Sequence, residues 1–237
     1  EYSTFNLTAG NAVRYWQLPD ITSLRYDTVD SPMAGEMDPF FFLSKHKNFI
    51  PHTYPCRDDF HQHFTGQKPQ PFANADYSRW WFPFASDRVD LSGFWFRPTR
   101  VGAWARTLID CPQAGEYRFR LATCGGALLK LNGKDVLWMA DYQRNLESQR
   151  EFSLCLQSGK NELELWFDDL AERDIRFFFQ LDYLAGEPLH IALETPLPAA
   201  QVKELEQLLD GVSFEHPVYN RGTIRLALPQ PASTDYD

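Results

Sequence analysis

From Phe94 to Glu194 the chain alternates apolar and polar residues with a period of two, one segment after another. YRFRLATC (117–124) sets Tyr117, Phe119 and Leu121 on one face and Arg118 and Arg120 on the other. That is the mark of a strand buried on one side only. EFSLCL (151–156) repeats it with Phe152, Leu154 and Leu156. NELELWF (161–167) opposes Leu163, Leu165 and Phe167 to Glu162, Glu164 and Trp166. DIRFFFQLDYL (174–184) aligns Ile175, Phe177, Phe179, Leu181 and Tyr183, and WARTLIDC (104–111) and LHIALE (189–194) add two shorter runs. Turn sequences separate them: PQAGE, QSGK and the Asn132-Gly133 pair between ALLKL and KDVLW. Asn-Gly between two apolar runs predicts a hairpin, because a type I′ turn needs positive φ at both central residues. Strands at this spacing predict an antiparallel β-sandwich or jelly roll.

The flanks differ. Residues 1–93 show little sustained period and carry Pro-containing stretches, SPMAGEMDPF and GQKPQPF. Short strands are expected at 11–17 and 38–43, within long loops that either carry function or pack against a partner. After Pro198 the period becomes helical: PAAQVKELEQLLDG spaces Val202, Leu205, Leu208 and Leu209 along one face, with Gly211 as C-cap. TIRLALP (223–229) reads as one more strand. The predicted protein is therefore mainly β, in three parts. A loop-rich elaboration (1–93) packs on a sandwich or jelly-roll core (94–195), and a helix–strand extension (196–237) follows, where a further module could begin.

Composition narrows the function. With 43% hydrophobic and 15% aromatic residues over 237 positions, the chain can bury a sizeable core. A net charge of −9 and no basic tract exclude nucleic acid and anionic membranes as partners. No apolar run approaches the roughly 20 residues of a membrane helix. Cys56, Cys111, Cys124 and Cys155 lack the close spacing of a disulfide scaffold, and three lie in strand-like runs. Buried free thiols are expected, which favours a reducing, cytoplasmic setting.

Leu131, Asn132, Gly133, Lys134 and Val136, followed by Leu156, Gly159, Asn161 and Leu163, form an ordered pattern of strand, turn and strand. Over residues 94–185 this order resembles the sugar-binding jelly-roll domains of family 2 glycoside hydrolases, and the wider galactose-binding-like and PA14-like sandwiches. The resemblance implies a non-catalytic accessory domain of a bacterial-type enzyme, one that binds carbohydrate or docks on a neighbouring catalytic domain. It implies no catalytic residues on this chain and no cofactor.

Sugar sites pair an aromatic ring with Asp, Asn and Arg, because the ring takes a C–H face while fork-shaped polar groups take hydroxyls. The loop WMADYQRNLESQR supplies Trp138, Asp141, Tyr142, Arg144 and Asn145, with Tyr142 as the exposed platform. Trp80 and Trp81 offer further rings, although neighbours in a strand face opposite ways, so at least one is core. The same aromatics would equally serve a dry docking face.

Three other stretches raise chemistry. PHTYPCRDDFHQHF gathers His52, Cys56, Asp58, Asp59, His61 and His63. A His-x-His strand would set two rings on one face for a metal. No CxxC or HExxH spacing is present, so a polar loop without metal is expected. Cys124-Gly125-Gly126 lacks the GxxxxGK[ST] pattern and predicts a bulge or strand crossing. WFDDLAERDIRFFF places Asp168, Asp169, Glu172 and Arg173 on a connection between strands, as an Arg–carboxylate network. A glycosidase would need two carboxyls flanking the scissile bond about 5–10 Å apart, and no GxSxG elbow is present.

Overall fold

A computed structural model of the protein describes residues 2–18, 21–26, 55–81, 86–194, 198–215 and 226–229. Its first part supplies β1 (Tyr2–Leu7), β2 (Trp16–Leu18), β3 (Thr22–Arg25), helix α1 (Pro55–Phe64), β4 (Arg79–Trp81) and β5 (Val89–Asp90). The central part holds β6 (Gly93–Cys111), β7 (Gly115–Thr123), β8 (Gly126–Leu131), β9 (Lys134–Ala140), β10 (Ser148–Leu156), β11 (Gly159–Ile175), β12 (Phe178–Ala185) and β13 (Leu189–Glu194). Helix α2 (Ala199–Asp210), β14 (Ser213–Phe214) and β15 (Leu226–Ala227) follow.

The strands form an antiparallel β-sandwich, as the alternation predicts. The larger sheet runs β1-β13-β6-β11-β8-β9, with β2 and β3 also on β6 and β4 on β2. The smaller runs β10-β7-β12-β5. Strands β6 and β11 are the spine, paired from Gly159↔Cys111 to Ala171↔Thr99 and, past a bulge, to Ile175↔Gly93. Phe119, Leu121, Leu154, Phe179 and Tyr183 from the smaller sheet join Ile109, Leu129, Leu165 and Phe167 from the larger in one core.

The Asn132-Gly133 turn forms with φ of 49° and 77°, both positive as a type I′ turn requires. Cys124-Gly125-Gly126 is the crossing where the chain leaves β7 in one sheet and enters β8 in the other. Contact dictates those glycines: a Cβ on Gly125 would meet the Asp168 carbonyl and the Asp169 side chain, and one on Gly126 the Tyr142 hydroxyl.

Several expectations are corrected. Strand β1 lies in the stretch expected to be irregular, and pairs with β13 from Tyr2↔Glu194 to Leu7↔Leu189. The strand expected at 11–17 is reduced to β2. Before it, residues 10–13 lie along β12 through Gly10 N to Tyr183 O (2.8 Å) and Val13 N to Leu181 O (2.7 Å). Residues 38–43 and 223–225 lie outside the described residues. In α2, Val202 is buried as expected, but so is Glu206, which accepts from Tyr15 Oη (3.0 Å) and Arg14 Nη2 (2.7 Å). Cys111 and Cys124 are buried free thiols, and burial pushes the Cys124 thiol up to about 11. Cys155 is free but exposed, since it alternates with the inward Leu154 and Leu156. No helix among the described residues is long and apolar enough to cross a membrane.

Candidate functional site

Asp168, Asp169 and Glu172 lie inside β11 rather than on a connection. Neighbouring strand residues point to opposite faces, so Asp168 and Asp169 enter different environments. Asp168 stands on the outer face of the larger sheet, opposite Gly102 and Gly126. It is 1% exposed, takes two hydrogen bonds from Arg100, through Nε (3.0 Å) and Nη2, and accepts from Tyr142 Oη (2.8 Å). From α1, Phe60 meets Tyr142 edge-on at 5.3 Å, and Phe64 lies beneath Arg100 at 4.4 Å. Burial raises the Asp168 pKa against the pull of Arg100 and Tyr142.

Asp169 faces the interior of the sandwich. Its Oδ1 accepts from Leu170 N (2.7 Å), and its Oδ2 has no hydrogen-bond partner among the described residues. Burial, reinforced by the Asp168 charge, pushes its carboxyl up to about 8. Glu172 is also buried and pairs with Arg57 of α1; burial raises its pKa against the pull of Arg57 and Arg144. The expected network of Asp168, Asp169, Glu172 and Arg173 is replaced: Asp168 pairs with Arg100 and Glu172 with Arg57 on the α1 side of the sheet, Asp169 faces the other way, and Arg173 pairs with Asp174. Substrate has no access to these acids, so they cannot flank a glycosidic bond.

The loop after the hairpin also differs from expectation. Tyr142 is completely buried beneath α1, so it is no solvent-facing platform. The polar run around it has the composition of a free loop, whereas in the structure α1 closes over it. Trp80 and Trp81 are half-buried and both pack on the main core. Their strand β4 lies beyond β2, β6, β11 and β8 from β9, five strand spacings or about 24 Å away at ~4.8 Å each. They share no site with Trp138, which is 40% exposed on the outer strand β9. Asp141 is half-buried beside Tyr142 in the chain. His61 and His63 lie on α1, where positions two apart do not face each other, so the His-x-His strand is absent. His52 lies outside the described residues, and among those described no cluster of three His, Cys, Asp or Glu could hold a metal.

Arg144 and Asn145 do converge, on the end of β11. Arg144 Nη2 donates to the carbonyls of Glu172 and Asp174 (3.2 Å each) and to Asp174 Oδ1 (3.0 Å). Asn145 Nδ2 donates to Asp174 Oδ2 (3.3 Å), while its Oδ1 accepts from Arg176 N (2.8 Å). The Asp174 side chain is 61% exposed. Against a desolvation cost, its own backbone N–H and the Arg144 and Arg173 guanidinium groups hold its carboxyl below the ordinary range. Directly opposite, on β6, is Phe94, 51% exposed. Opposed residues share a face with Cβ atoms roughly 4.5–5.5 Å apart.

The backbone here is strained. Tyr142, Asn145 and Arg173 have φ of 46°, 56° and 61°. Each left-handed non-glycine residue costs on the order of 1–2 kcal/mol, and such strain gathers at functional sites. Of this group the sequence singles out Arg144 and Asn145 but not Phe94 and Asp174 as a pair, because their pairing joins positions far apart in the chain. No local signal marks it.

No protein-family model matches the chain, and no curated protein matches it in sequence. Parts of it are similar to solved structures. A GH31 α-xylosidase from Xanthomonas citri is 20% identical over 40% of this chain and 12% of that one, with TM-score 0.28. The PA14 domain of the antifreeze protein MpAFP is 19% identical over 37% and 46%, with TM-score 0.29. A family 35 carbohydrate-binding module from an environmental isolate is 15% identical over 41% and 72%, with TM-score 0.28. Each match covers less than half of this chain, and the sandwich assignment rests on the sheets themselves.

Proposed function

We propose that this chain is a non-catalytic carbohydrate-binding β-sandwich module, accessory to a glycoside hydrolase-like catalytic domain. The observation that carries the reading is the exposed Phe94 ring opposite Asp174, whose carboxylate is oriented by Arg144 and Asn145. A pyranose would lay its C–H face on the ring and direct hydroxyls to the carboxylate and guanidinium. An open surface of this kind supports millimolar to micromolar binding, about −4 to −8 kcal/mol. The non-catalytic part of the reading is supported by the burial of Asp168, Asp169 and Glu172.

A second reading, docking on a neighbouring domain without sugar, is favoured by exposed Leu146 (62%) beside the same loop and Trp138 (40%) on β9. Titrating mono- and oligosaccharides while following backbone amide NMR shifts separates the two. Saturable shifts at Arg144, Asn145 and Asp174, lost in a folded Phe94→Ala variant, are expected. No saturable response across the panel, together with concentration-dependent dimerisation, would replace the sugar reading with docking.

A further inference from the structure

We infer that Arg57, on helix α1, is a positioning residue for the proposed sugar surface, holding β11 at its bulge with β6 in the conformation that presents Asp174. The inference rests on the carbohydrate reading for its consequence, but on geometry alone for its mechanism. Pairing between β11 and β6 passes from Ala171↔Thr99 to Arg173↔Trp95, so the bulge sets Glu172 of β11 against the longer stretch 96–98 of β6. The Glu172 side chain is fully buried, and its Oε2 is bonded to the Arg57 guanidinium. Its Oε1 has no hydrogen-bond partner among the described residues, so the Arg57 guanidinium is what anchors the Glu172 side chain at the bulge. Arg144 fixes the same stretch of chain by its backbone, through the Glu172 and Asp174 carbonyls.

Between these two clamps Arg173 is held left-handed at φ 61°. A residue in that region persists only where its surroundings over-determine it. Releasing the Arg57 clamp lets the bulge relax, which turns Asp174 away from Phe94 and from the Asn145 amide. Because Arg57 belongs to α1, docking of that helix and occupation of the surface are then linked: each stabilises the other.

Removing Arg57 alone would leave a buried, unpaired carboxylate and threaten the fold. Replacing both partners with apolar groups of similar size avoids that, so the test uses the double variant Arg57→Met, Glu172→Leu. Two measurements are made on the whole chain: amide hydrogen exchange without ligand, and affinity for whichever saccharide of the panel the wild type binds. Exchange at Arg173, Asp174 and Asn145 is expected to quicken about tenfold or more, and binding to weaken about tenfold, while the melting temperature stays close to wild type. Arg57→Lys, which keeps a cation on Glu172, is expected to recover most of the affinity. Wild-type exchange at the bulge in the folded double variant, or wild-type affinity, would overturn the inference. If the wild type binds no saccharide, the carbohydrate reading fails by itself, and the exchange measurement still decides whether Arg57 holds the bulge.

Discussion

An aspartate in water titrates near 3.8, and inside this sandwich burial moves Asp169 up to about 8. Its folded pKa lies above its unfolded one. Its contribution to stability is therefore fully present below about pH 4 and is lost as pH rises through about 8. Asp168 and Glu172 are shifted upward as well and act with the same sign. Asp174 and Glu147 are shifted downward, and act only in the acid range below their ordinary values. Asp169→Asn preserves an oxygen for Leu170 N and cannot ionise. Urea midpoints measured from about pH 5 to about pH 9 should fall for the wild type and stay flatter for the variant, which becomes the more stable protein at the alkaline end. Parallel curves for the two proteins would mean that Asp169 is ionised throughout. None of this is readable from the residues in order: in WFDDLAERD a buried carboxylate looks like a turn, because polarity normally reports solvent.

Elements differ in how openly they announce themselves. Strands β7 and β10 follow the alternation because one face is buried and the other wet, as in Tyr117, Phe119 and Leu121 against exposed Arg118. Around its middle, β6 is covered on both faces, with Val101, Ala103, Trp104 and Ala105 all buried, so its period disappears. Helix α1 buries Phe60 completely within the polar run PCRDDFHQHF, too thin an apolar stripe to declare a helix. The Asn132-Gly133 hairpin is the opposite case, because its signal is backbone chemistry and needs no tertiary partner. A Cβ at Gly133 would meet no atom within 4 Å, so strain at φ 77° is the whole cost of a substitution. Gly133→Val should therefore destabilise by roughly 1–3 kcal/mol in urea unfolding. An unchanged midpoint would mean that the turn adopts another conformation.

At the scale of the molecule, the outer face of the larger sheet is organised in rows that only the register reveals. Trp138, Leu128, Trp166 and Trp104 stand side by side across four strands. The neighbouring row holds Asp135, Lys130, Glu164, Arg106 and Gln17. Residues 65–77 lie over both rows and engage each by its own chemistry. Phe72 meets Trp166 edge-on at 5.0 Å, and the Trp104 indole donates to Ala73 O (2.9 Å). The Tyr77 hydroxyl donates to Glu164 Oε1 (2.8 Å), and its ring lies beneath Arg106 at 4.5 Å. Lys68 pairs with Asp135 at the sheet edge. Phe72, Tyr77, Trp104 and Trp166 form a cluster separate from the main core on the other side of the sheet. The cover should thus detach without unfolding the sandwich. Phe72→Ala combined with Tyr77→Ala should cost about 2–4 kcal/mol of stability. It should also shift tryptophan emission to the red and promote self-association through the bared row, with the far-UV β signal retained. Tryptophan emission identical to wild type would show that residues 65–77 are held on the sheet by their polar contacts at Lys68 and Ala73, and that the two rings contribute little to the cover.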